Sequence, residues 1–113
     1  MKMLMKVFAV MVLTMPALAL AGTWQKVSLI DHMCLEKVKA APDKHPVSCL
    51  LKCAGSGYGI LTADGKWLAL DKAGNDKAMA ALKATSKKDH IRVDVTGEQN
   101  GETIAVSALA LVD

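Results

Sequence analysis

The stretch "IRVDVTGEQNGETIAVSALALV", residues 91–112, decides the fold. Ile91, Val93 and Val95 alternate with polar residues, Asn100-Gly101 follows as a turn signal, and residues 103–112 alternate again. A period of two marks a strand with one buried face, and Asn-Gly between two such runs marks a hairpin. Ile91, Val93, Val95, Ile104, Val106 and Leu109 are the core candidates of this hairpin. Residues 107–111 lose strict alternation, which predicts a bulge.

Upstream of this hairpin, residues 58–63 and 66–71 form two apolar runs joined by Asp64-Gly65, a second hairpin. Between the hairpins, Ala78, Met79, Ala81 and Leu82 recur at helical spacing up to Thr85, with Asn75 or Asp76 as the expected cap. Residues 24–31 mix Val27, Leu29 and Ile30 with polar positions and read as a first strand. Pro46 suits a first helical turn and Gly55 suits a left-handed end, so residues 47–54 read as a short helix. The resulting order has five strands, a short helix after the first and a longer one between the third and fourth. That is the order of a mainly β (α+β) OB-like Greek-key barrel. A ferredoxin-like βαββαβ sheet is the competitor, and the fifth strand favours the barrel. In the barrel the longer helix plugs one end and buries Met79 and Leu82.

The N-terminus sets the expected compartment. Lys2 and Lys6 precede an apolar run over residues 7–13, Pro16 breaks it, and Ala19 and Ala21 offer the small residues that a signal peptidase reads. Residues 1–21 are therefore expected to be a cleaved signal peptide, and residues 22–113 a single periplasmic or secreted domain. The run is shorter than the roughly 20 residues that span a bilayer, so no membrane insertion is expected after cleavage. Met1, Met3, Met5, Met11 and Met15, most of the 7 methionines, leave with the leader, as does the only phenylalanine, Phe8. Losing Lys2 and Lys6 brings the formal charge of +3 close to neutral, and Arg92 is the only arginine. Phosphate binding depends on clustered cations, so nucleic acid is not the expected partner. A domain this small builds a limited core, and a covalent or metal staple would help it.

The 3 cysteines carry the chemistry. Cys34 ends the first strand region, and "HPVSCLLKC", residues 45–53, holds His45, Cys49 and Cys53. Two readings follow. In the first, an oxidising compartment pairs Cys34 with Cys49 or Cys53 and leaves one thiol over. Such a link would contribute about 3 kcal/mol, whereas Cys49 with Cys53 at helical spacing is too wide for a disulfide. In the second, Cys34, His45, Cys49 and Cys53 form a metal site, a Cys3His set suited to zinc or a soft set suited to Cu(I). His32, Met33 and Cys34 are adjacent, but strand alternation would put Met33 on the opposite face from the other two.

Enzyme chemistry is not expected. Cys-x-x-x-Cys lacks the spacing of thioredoxin-type redox motifs, and Cys-x-x-Cys-His for haem is absent. No nucleotide-binding motif is present either. Tyr58 and Trp67 lie on the second and third strands, where OB-folds carry a stacking platform for ligands, so they are candidate ligand-binding residues, although such aromatics more often pack the core or the sheet face.

The pattern "IDHMC", "SCLLKC", "GYGILTADGKWLAL" and the closing hairpin resembles a group of small exported bacterial OB-like-barrel proteins. Their outline has Asp-x-x-Cys at the end of the first strand, Cys-x-x-x-Cys in the next helix and a Val-x-Val-x-Gly closing hairpin. Asp31, Cys34, Cys49, Cys53 and Gly97 occupy those places. The resemblance implies the barrel and the exported location, with no agreed activity. Two functions are therefore expected as alternatives: soft-metal binding (copper or zinc) at the Cys/His corner, or a disulfide-stapled adaptor for an envelope protein or small ligand.

Overall fold

The computed structural model describes residues 20–113. Its strands are β1 (Leu20–Asp31), β2 (Tyr58–Leu61), β3 (Trp67–Leu70), β4 (Arg92–Asn100) and β5 (Thr103–Val112). Its α-helices are α1 (Leu35–Val38), α2 (Val47–Lys52) and α3 (Lys72–Ala84). The strands close into a barrel in the order β1-β2-β3-β5-β4, antiparallel except for β3 beside β5. This is the OB-like barrel that the hairpins and the intervening helix specify. The leader expected over residues 1–21 lies outside the described residues except for Leu20 and Ala21, which pair with Gln99 and Glu98 of β4. Among the described residues no helix is long and apolar enough to cross a membrane.

The alternating residues of the closing hairpin face inward. Ile91, Val93, Val95, Ile104 and Val106 are buried, and Leu109 packs partly buried against them. The bulge falls at the first residue of the segment that loses alternation. Thr96 pairs with Ala108 and Gly97 with Val106, so Ser107 is the extra residue, and its hydroxyl donates to the Thr96 carbonyl. A second bulge in β1 lies between Trp24 and Val27, where the Lys26 amide donates to Asp94 Oδ1.

Gly97 marks a close approach of β4 to β5. A Cβ there would lie 2.3 Å from the Ala105 carbonyl oxygen, a backbone atom that cannot step aside. Gly97→Ala is expected to destabilise the barrel by about 1–3 kcal/mol, the range for overpacking, read as a lower urea midpoint at unchanged slope.

Two local expectations change. The cap of α3 is Asp71, which accepts from the Gly74 amide, and the helix starts at Lys72. Asn75 instead accepts from the Tyr58 amide and donates to the Leu70 and Asp71 carbonyls, tying the helix to β2 and β3. Pro46 is the extended cap residue before α2, and the left-handed glycine that ends the following 3-10 turn (Ala54–Ser56) is Gly57, φ 91°, rather than Gly55. Ala78 and Leu82 of α3 are buried against the barrel, with Met79 partly so.

The long connection between β1 and β2 carries α1, α2 and the 3-10 turns, and it is laid against the barrel. Arg92 grips Asp43 with two hydrogen bonds, Nε to Oδ1 at 3.0 Å and a terminal nitrogen to Oδ2 at 2.7 Å. The Arg92 guanidinium thereby holds the Asp43 carboxyl below its ordinary range. The amides of His90 and Val47 donate to the Asp43 and Lys88 carbonyls.

Candidate metal centre

The centre is built where β1 ends. Asp31 is paired with Tyr58 across β1 and β2, and the backbone then leaves the sheet as a 3-10 turn over His32–Cys34. Asp31 is the cap of that turn: its Oδ2 accepts from the Cys34 amide at 3.0 Å. An acidic side chain three residues ahead of the amide it accepts from is the usual capping geometry, and here it fixes Cys34 relative to the carboxylate. The other oxygen, Oδ1, lies 2.7 Å from Nε2 of His45. Both side chains are buried, Asp31 at 0% and His45 at 4% exposure. A carboxylate can only accept, so His45 donates through Nε2.

Cys53 comes from the opposite side of the connection. It caps the C-terminal end of α2 with φ −100° and ψ 20°, and its amide donates to the Cys49 carbonyl. Asp31, Cys34 and Cys53 each place a ligand atom so that all three lie within 4.8 Å of one another. Met33 adds a further sulfur, with its thioether accepting from the Cys53 thiol at 3.8 Å. Ser56 locks the two segments together: its hydroxyl accepts from the Met33 amide at 3.1 Å and donates to the Cys53 carbonyl at 2.8 Å.

Comparison of the chain with family models, curated proteins and solved structures finds no match. The chemistry of the corner is therefore argued from its own atoms.

The structure gathers part of the expected set. Cys34 and Cys53 come together, whereas His45 is engaged by Asp31 and stands behind the cluster. Cys49 is outside the cluster. All three cysteines are free thiols, which corrects the expected disulfide. Asp31 and Met33 were not in the expected ligand set. The Asp-x-x-Cys cap spacing is the signal that could have found the first. The second was hidden by the assumption that the strand runs on through Cys34.

Of its two expected roles Tyr58 takes the packing one. Its side chain is 1% exposed and its hydroxyl donates to the Leu50 carbonyl at 2.7 Å, so it is a core residue and offers no stacking face. Burial, with the Asp31 and Cys53 charges adding to it, pushes its hydroxyl up to about 12. Trp67 is partly buried, with its indole N–H donating to the Ile30 carbonyl at 3.1 Å. Its ring faces His32 at a centroid distance of 5.2 Å and packs over Gly59, where a Cβ would strike it. Trp67 thus braces the residue next to Met33.

The Cys34 thiol is pushed up to about 11, first by desolvation and then by the charge and hydrogen bond of Asp31 and by Cys53. Reactive cysteines are shifted the other way. At neutral pH Cys34 keeps its proton until something with a positive charge replaces it.

Proposed function

We propose that the protein is a non-enzymatic binding module of the bacterial envelope that holds one soft metal ion, Cu(I) or Zn(II), at the corner of Asp31, Cys34 and Cys53. The observation that carries this reading is the convergence of the three ligand atoms within 4.8 Å, with the carboxylate anchored by the buried His45. Metal sites depend on such outer partners, which hold the ligand in place. The Cys34 thiol is raised rather than lowered, the opposite of a nucleophilic cysteine. The leader pattern of residues 1–21 and the resemblance to exported OB-like proteins support the envelope location.

Intact mass spectrometry of the purified protein tests the reading, under native and then denaturing conditions with thiol alkylation. A native mass heavier by one zinc or copper ion, with three alkylatable cysteines after denaturation, is expected. One alkylatable cysteine and no bound ion would overturn it in favour of the stapled adaptor.

Binding is also expected to depend on pH with a defined sign. The bound ion needs the Cys34 thiolate, and the free protein holds the thiol proton up to about 11. Affinity therefore rises with pH throughout the neutral range, by roughly tenfold per pH unit for this one proton. Chelator competition at a series of pH values between about 6 and 8 checks this, and a flat profile would contradict it.

A further inference from the structure

We infer that the ion of this site is Cu(I), held by three sulfurs from Met33, Cys34 and Cys53, with Met33 as the exposed ligand through which the ion enters and leaves. This rests on the metal-binding reading above and names its ion.

The first argument is distance. Metal–thiolate bonds of about 2.3 Å place two sulfurs on one ion roughly 3.8 to 4.0 Å apart, for tetrahedral or trigonal angles. The Met33 thioether and the Cys53 thiol already stand 3.8 Å apart. An ion between them replaces the thiol proton that now bridges them.

The second argument is the donor set. Thioether sulfur is a ligand for Cu(I) and is not among the ordinary ligands of zinc, which takes thiolate, imidazole and carboxylate. Asp31 is the hard donor that a zinc site would use, and each of its oxygens already accepts one hydrogen bond, from His45 Nε2 or from the Cys34 amide. With Cu(I) the softer sulfurs meet the ion, and Asp31 serves through these bonds to position Cys34. On binding, the protons of Cys34 and Cys53 pass to water, and the two thiolates and the neutral thioether each donate one lone pair. No electron is transferred.

The third argument is exposure. Met33 is 68% exposed, one of two large apolar side chains left so on the described surface. A flexible thioether in that position costs the fold little and can swing between this ion and the soft ligand of a donor or acceptor. Ser56 holds its backbone to Cys53, so the side chain moves while its attachment does not.

The test is competition of the reduced, anaerobic protein against chromophoric chelators of Cu(I) and of Zn(II), in the wild type, Met33→Leu and Cys53→Ser. Met33→Leu is expected to weaken Cu(I) by roughly tenfold or more and to leave Zn(II) within about twofold. Copper X-ray absorption should show a shell of sulfur only, losing one sulfur in Met33→Leu. Because Met33 is exposed, this variant does not endanger folding. Unchanged Cu(I) affinity in Met33→Leu, or oxygen in the copper shell, would overturn the three-sulfur assignment while leaving a metal site in place. A wild type that takes up neither ion, with Cys53→Ser indistinguishable from it, would overturn the metal reading itself.

Discussion

Cys53→Ser is expected to abolish stoichiometric binding of both Cu(I) and Zn(II), whereas Cys49→Ser, four residues away, leaves both nearly unchanged. Cys53 belongs to the Asp31/Cys34/Cys53 cluster and also donates to Met33, so its sulfur is common to every ligand set that the corner can offer. Loss of an outer partner alone typically costs 10–100-fold in metal affinity, so loss of this ligand should exceed roughly 100-fold. Cys49 lies within α2, outside the cluster, and contributes no ligand atom. Chelator competition reads both variants, and circular dichroism checks that each retains the barrel. Equal losses in the two would mean that the helix presents both thiols to the ion, as the Cys-x-x-x-Cys spacing alone suggests.

Asp31→Leu is expected to be the most destabilising single change in the corner, at about 1–3 kcal/mol, the range for leaving a buried polar group without its partner. His45, only 4% exposed, would lose the acceptor for its Nε2–H, and the Cys34 amide would lose its cap. The asymmetry supplies a control. Removing both members of a buried pair costs less than removing one, because no unpartnered polar group is left inside. Asp31→Leu with His45→Phe should therefore unfold at a higher urea concentration than Asp31→Leu alone, while binding the ion roughly 10–100-fold more weakly than the wild type. If the double variant were less stable than either single one, the two side chains would be contributing independently rather than as a pair.

The barrel was legible because its information is local. The alternation of Ile91, Val93 and Val95 and the two hairpin turns specify neighbouring strands without reference to distant chain. The cap of α3 was misplaced for the opposite reason. Asn75 resembles a cap by residue type, but its side chain is committed to Tyr58 on β2, a partner that no local pattern reveals. The sulfur residues could be picked out, but their convergence could not. It depends on the register that sets Asp31 beside Tyr58 and on the 3-10 turn that follows. That turn breaks the alternation that would have sent Met33 and Cys34 to opposite faces. Of the two roles open to Tyr58, packing wins because a strand of a closed barrel buries its inward face completely.

The connection between β1 and β2 leaves and re-enters the sheet at adjacent points, with the His32 amide donating to the Gly57 carbonyl across its neck. Cys34 lies just inside one side of that neck and Cys53 just inside the other. An ion joining them would be a drawstring: it would close the neck of the loop that carries α1 and α2, whose middle is already held to the barrel by Arg92 on Asp43. Tightening the neck in this way would raise the local opening free energy of residues 35–52, while the exposed Met33 still lets the ion pass in and out. Amide hydrogen exchange along those residues would read that tightening, slowing where the string is drawn and leaving the far strands β4 and β5 untouched.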